Sequence, residues 1–592
     1  MERKAWMSHA LESAVLAAVA GAGPMAAAQD LTREQVSSVV CGAGWIFGEA
    51  DRRAPVLDGI GDIHFPITTR SAEAQRMFDQ GMALVWAFNH EEAWRTFKEV
   101  ARLDPDCAMA YWGIAYTLGG NYNVPGSPER LETAARAIQI AKSLRPRTTP
   151  KEQALIGAML TRYATPVPED AEARKALDRA YADAMREVAA KYPEDDDVMV
   201  MYAESMMNLR PWALWSHEGE PEEGTPEILA TLDRVIKRNP RHTGANHLAI
   251  HAWEASPTPE RALASADRLG SLAPRAGHLV HMPSHIYIRT GMFERGADSN
   301  RAAIAADDAY LSEIGGGYIY GGLYAPHNWH FLVTCCSFIG LPDEAIETAE
   351  EMRRRANVEA LREAPGADFV INQTWLTRAR FGMWSDVLED AAPPEGFMWA
   401  KASWHFARGR AMVGQGDLEA AKRELAMLEH PDWMPEDAPG PYGTNTARGL
   451  VAIAADVLGA RIAQGEGRAD EAVEMLERAV VNEAALTYGE PPDWHAPSNE
   501  TLGALHMEMA YAAHEDGDDA TARTHAQKAE AAFRADMKMH PNNGWALHGL
   551  ASALELRATL GAGDDVRQEA KRVRSTFREV WKGAQPPEWQ WY

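Results

Sequence analysis

The chain predicts an all-α fold, an α-solenoid in architecture: a right-handed superhelix of helix–turn–helix units. Three observations carry this reading. Ala-rich apolar patterns of helical period alternate with short breaks at Gly, Pro and Asp, and period-2 strand patterns are nearly absent. Between Ser71 and Asp106, the residues Gly81, Ala93, Phe97 and Pro105 follow one another at spacings of 12, 4 and 8. Ala529, Phe533 and Pro541 repeat the last two spacings, and Pro240 and Pro274 stand 34 residues apart.

The spacings have a direct physical meaning. Gly81 and Ala93 let two antiparallel helices approach closely, Phe97 fills the gap, and Pro105 stops the second helix. The small–small–aromatic–proline skeleton resembles the tetratricopeptide repeat (TPR), a 34-residue helix–turn–helix unit. Turns between first and second helices are predicted at Gly340 to Ala345, Gly416 to Ala421 and Gly465 to Ala472. The resemblance covers most of residues 71–555, in roughly eight to eleven copies, with insertions near 119–127, 210–225 and 311–326. It implies a concave surface lined by first helices, a groove for a peptide or a partner protein.

Composition narrows the functional classes. The 592 residues are 46% hydrophobic and 24% charged, an ordinary globular balance. A formal charge of −26 repels phosphate backbones, which argues against nucleic-acid binding. Four cysteines, at 41, 107, 335 and 336, are too few for a disulfide scaffold. No transmembrane segment is expected in the body of the chain. At the amino terminus, Arg3 and Lys4 precede a short apolar stretch, then Pro24 and Ala26-Ala27-Ala28. These are signal-peptide ingredients for residues 1–28, and they predict export, with the periplasm as destination and the cytoplasm as the alternative. Glu12 fits them poorly, and an amphipathic first helix is the other reading. Residues 29–70 read as an extension and 71–592 as the solenoid.

The histidines are concentrated. Of 20 in the chain, seven lie between His247 and His330, where an even spread would put about three. Measured from Pro240 and Pro274, His247 and His281 occupy one helical position, and His251 and His285 another. Aligning the turn glycines adds His327 opposite His278 and His330 opposite His281. The expected columns are His247–His281–His330–Asn372 and Glu204–His251–His285–Thr334. These positions share one helical face, and adjacent helices lie about 8–10 Å apart. Imidazoles projecting from them can converge on one cation at about 2 Å. Pro283, inside an expected continuous helix, breaks a local rule within the same cluster unless the helix begins at Met282.

The blocks Ala245-Asn-His-Leu-Ala-Ile-His251, His281-Met-Pro-Ser-His285 and Glu490-Pro-Pro-Asp-Trp494 resemble a bacterial subgroup of TPR proteins, often with export signals. His281-Met-Pro-Ser-His285 and His327-Asn-Trp-His330 are also similar to the TPR protein 38 group.

Two functions follow as expectations. The first is a divalent transition-metal site (Zn, Fe or Cu) in a metal-dependent hydrolase or oxidoreductase acting on a small molecule. His247, His251, His281 and His285 would ligate, and Glu204, His278, His327 or His330 would complete or support the set. Glu254, just past His251, is the candidate general base. The second is a non-catalytic scaffold whose groove binds a peptide or a partner protein. Asp493-Trp494-His495 and Asn121-Tyr122-Asn123 are lesser candidates, read more simply as loop and turn. His405 and the five histidines from 506 to 548 fall outside the columns, Cys335 and Cys336 read as core, and no phosphate-cradling Gly-rich loop is evident.

Overall fold

The computed structural model describes residues 52–314, 319–362, 364 and 366–592. The leader expected at 1–28 and Cys41 lie outside the described residues. Among the described residues the chain is all-α, with only three isolated β-bridges. No described helix is long and apolar enough to cross a membrane.

The chain divides into two compact units. The described residues of the first fall within 52–286 and 299–328, and those of the second within 287–298 and 329–592.

In the first unit, α1 (Ala72–Trp86) and α2 (His90–Leu103) form the helix pair that the spacing predicts. Ser71 caps α1 by accepting from the Ala74 N–H, and Asn89 caps α2 by accepting from Glu92. Phe97 packs between α1 and α3 (Ala108–Leu118). A Cβ on Gly81 would stand 2.5 Å from the Phe97 ring and one on Gly113 2.6 Å from it, so hydrogen is the only substituent that fits at either position. The stretch before α1 lies along this pair: Gln80 accepts from the Leu57 N–H, and Phe65 stacks on Trp112.

The second unit repeats the device. Phe533 on α10 (Asp519–Met539) meets Gly503 on α9 (Ser498–Glu515) and Gly549 on α11 (Gly544–Thr559). TPR-like packing therefore recurs in both units.

The remaining helices of interest carry the clustered histidines or the residues that support them. They are α4 (Thr243–Trp253), α5 (Gly277–His281), α6 (Pro283–Arg289), α7 (Phe293–Ile314) and α8 (Ala325–Phe338). Here the chain departs from the expected continuous helix. It breaks at Met282, and Pro283 opens α6 as its first residue. At that position the missing N–H costs nothing, because the first turn has no intrahelical acceptor to lose. The expected penalty of an internal proline is thus avoided, and Met282 itself keeps helical backbone angles, with its N–H donating to the His278 carbonyl.

Candidate functional site: a buried histidine cluster

Six imidazoles come together in the first unit, supplied by α4, α5, α6 and α8. His247, His251, His278, His281 and His285 are each at most 1% exposed, and His327 is half-buried. Their ligand-capable atoms form two groups of three, His247–His251–His278 and His281–His285–His327, each within 4.8 Å. The nearest approaches are through Nε2 atoms: 3.1 Å for His247–His278, 2.9 Å for His281–His285 and 3.5 Å for His327–His285.

The opposite ring nitrogens explain why Nε2 points inward. His247 Nδ1 lies 2.6 Å from the Trp86 carbonyl, and His281 Nδ1 lies 2.7 Å from Asn300 Oδ1. Ser284 Oγ is also near His281 Nδ1, but its hydroxyl donates to the His281 carbonyl. Glu254 serves two rings at once, with Oε1 2.8 Å from His251 Nδ1 and Oε2 2.5 Å from His285 Nδ1. Carbonyl, amide and carboxylate oxygens only accept, so these four rings carry their proton on Nδ1. Each therefore presents an Nε2 lone pair to the cluster.

Burial sets the charge state. It holds the His247, His278 and His281 imidazoles well below their ordinary value, with neighbouring imidazoles acting in the same direction, and lowers His251 as well. Burial acts to raise the Glu254 carboxyl, but the facing rings of His285 and His251 outweigh it and hold Glu254 below the usual range. Burial thus favours the neutral form of His247, His251, His278 and His281, the form of imidazole that binds metals.

A supporting layer fixes the rings. The Tyr320 hydroxyl accepts from the His278 N–H and donates to Asp307 Oδ1, and Asn328 donates to Asp307 Oδ2. Burial pushes Asp307 up to about 7. Gly277 abuts the Asp307 carboxylate so closely that no side chain fits there. Phe88, in the turn between α1 and α2, lies against three rings, with centroids 4.4 Å from His247, 5.6 Å from His251 and 5.7 Å from His278. Trp212 and Tyr122 cover His251. Phe88 and Trp212 both adopt positive φ, at 52° and 57°, a conformation that non-glycine residues hold only where surrounding packing enforces it. Phe88 and Tyr324 also line a small cavity with Asn89, His90, Asn121 and Arg130.

Other candidates from the sequence are placed elsewhere. His278, rather than His281, stands against His247. Glu204 accepts from the Tyr116 hydroxyl and joins neither group of three, and burial raises its carboxyl. His330 pairs with Tyr442, at 2.9 Å from its hydroxyl, and stacks on Phe369 within the second unit. Glu254 has both oxygens engaged by imidazole Nδ1 atoms, which makes it an orienting carboxylate instead of a free base. Asn121 forms a turn by accepting from Asn123 and Val124. Asp493 accepts from Asn445, and His495 packs on Phe406 and Trp494. His405 pairs with Glu424 and His540 with Asp536, while Cys335 and Cys336 are fully buried.

The residues that pattern reading missed are Phe88, Asn300, Asp307 and Tyr320. None lies in a phrase that supplies a histidine to the cluster. Only the Phe88-Asn-His90 turn, sited where the first helix pair ends, offered a local signal.

No protein-family model matches this chain. No curated protein sequence matches it either. Among solved structures, the human IFIT1 dimer with m7Gppp-AAAA is similar over 88% of this chain and 99% of that one, at 11% identity and a TM-score of 0.31. The APC/C hetero-tetramer Cut9-Hcn1 is similar over 83% of this chain and 78% of that one, at 11% identity and a TM-score of 0.31. The P58(IPK) TPR domain is similar over 69% of this chain and 92% of that one, at 14% identity and a TM-score of 0.21. These likenesses are distant in both sequence and superposition.

Proposed function

We propose that this chain is a histidine-ligated metalloprotein in which Nε2 atoms of His281, His285 and His327 hold a transition cation (Zn, Fe or Cu). The observation that carries the reading is the 2.9 Å approach of His281 Nε2 to His285 Nε2 when both rings have their proton on the far nitrogen. Two lone pairs at that distance repel unless a cation stands between them. Donors on one tetrahedral cation at about 2.05 Å lie about 3.3 Å apart, close to the 2.9 and 3.5 Å separations found here.

The remaining donors fit the same assignment. Glu254 and Asn300 supply the outer hydrogen bonds that metal-binding imidazoles require, fixing tautomer and ring orientation. Half-buried His327 gives the site a side on which a small molecule can approach. A cation bound there would supply Lewis acidity toward a bound water or substrate oxygen, the basis of a hydrolase or oxidoreductase activity. The chain's own residues hold the cation, orient its ligands and exclude bulk water.

The helix-pair architecture supports a second reading, a scaffold that binds a peptide or a partner protein. X-ray absorption at the metal edge of the purified protein separates the two. The first reading expects a shell of imidazole nitrogens near 2 Å. Protein that takes up no transition metal, while retaining a bound peptide or protein, would leave the scaffold reading standing.

A further inference from the structure

We infer that the six imidazoles hold two transition cations, the second in a closed site formed by His247, His251 and His278. This rests on the metalloprotein reading above and extends it. The six imidazoles fall into two sets of three that share no residue. Each set offers enough donors for one cation at a coordination number of three or four. His278 and His281, which belong to different sets, have ring centroids 5.9 Å apart.

Two features point to a ligand in the second set. His247 donates from Nδ1 to the Trp86 carbonyl and His251 from Nδ1 to Glu254, so both turn Nε2 lone pairs inward. His251 Nε2 and His278 Nδ1 have no hydrogen-bond partner among the described residues, although both rings are 1% exposed. Leaving a buried polar atom unsatisfied costs about 1–3 kcal/mol. A cation on the Nε2 face would satisfy His251 and, with the His278 proton on Nδ1, would be shared by the His247 and His278 Nε2 atoms, which lie 3.1 Å apart.

The two sites differ in access and are joined by one residue. The second is walled by Phe88, Tyr122 and Trp212, the arrangement of a closed, structural position. The first has half-buried His327 at its edge and is the position open to a substrate. Glu254 orients a ligand of each site, one oxygen to His251 and the other to His285. Two divalent cations held by imidazoles carry more positive charge than the Glu254 carboxylate offsets. Its ligand class is therefore a small anion, such as hydroxide, carboxylate or phosphate, bound at the open site.

The test is the zinc stoichiometry of the full chain, stripped with chelator, reloaded with Zn(II) and desalted. Wild type is expected to hold two equivalents, and His278→Gln and His327→Gln one each. As a check independent of any variant, crystals of the zinc-loaded protein are expected to show two anomalous peaks, one at each set of three. One equivalent and a single peak in the wild type would overturn this inference and leave the single-cation reading intact. No uptake of Zn, Cu or Fe would overturn both.

Discussion

His281 and His285 face each other through Nε2 atoms 2.9 Å apart, while the Nδ1 of each is committed to an acceptor, Asn300 Oδ1 for one and Glu254 Oε2 for the other. Two residues four apart across the start of α6 are thereby fixed as acceptors pointing at one locus. A helix surface alone does not produce this. It needs the outer oxygen atoms from Glu254 and from α7.

Glu254→Gln tests that outer layer. A glutamine has one acceptor oxygen where the carboxylate has two, so either His251 or His285 loses its Nδ1 partner and its orientation. Loss of such an outer hydrogen bond lowers metal affinity by about 10- to 100-fold. Competition with a chromophoric chelator measures it. Unchanged affinity would remove Glu254 from the account.

Phe88→Ala tests the aromatic wall. The side chain is 3% exposed and packs on His247, His251 and His278. Truncating a buried phenylalanine costs about 3–5 kcal/mol. Denaturant unfolding of the first unit should register this loss. The variant should also lose metal faster than wild type, because the rings of the closed site lose their common neighbour.

Gly113→Ala tests the repeat packing at a distance from the histidines. The new Cβ would sit 2.6 Å from the Phe97 ring, which also fills the space beside Gly81. Phe97 therefore cannot move aside into that space. Overpacking of this kind costs about 1–3 kcal/mol. The denaturation midpoint should fall while metal content per folded chain stays the same.

Asp493 gives a pH dependence in the second unit. Burial raises its carboxyl from 3.8 to about 7, against the opposing effect of the Asn445 hydrogen bond. A carboxyl raised by folding contributes stability that is complete below its unfolded value and is lost as pH rises toward its folded one. Asp493→Asn keeps the bond from Asn445 and removes the buried charge. It should stabilise the protein at pH 8 by on the order of 2 kcal/mol and by little at pH 4. Melting temperatures at the two pH values measure the difference. An equal shift at both would mean that Asp493 is not the titrating group.

The helical class and the pairing of helices were legible in the sequence because Gly81, Phe97 and Pro105 encode local geometry within one repeat. The concentration of histidines was legible for the same reason, through spacings of three, four and 34. What was not legible depends on events that spacing does not encode. Which ring of α5 meets which neighbour is one of them: His278 approaches His247, and His281 approaches His285. His330 lies only three residues beyond His327, yet its ring turns to Tyr442 and Phe369. Glu204 falls in a predicted column and is taken up by Tyr116. Asn300 and Asp307 come from the outer helix α7, whose sequence carries no metal-binding signature, and Trp86 contributes a backbone carbonyl that no side-chain motif can announce.

The most direct measurement is the transition-metal content of tag-free, full-length protein, before and after the double substitution His281→Ala with His285→Ala. At least one equivalent of Zn, Fe or Cu per chain, lost in the double variant while its helical circular dichroism is retained, is the predicted result. Wild-type protein that stays metal-free after exposure to all three ions would contradict it.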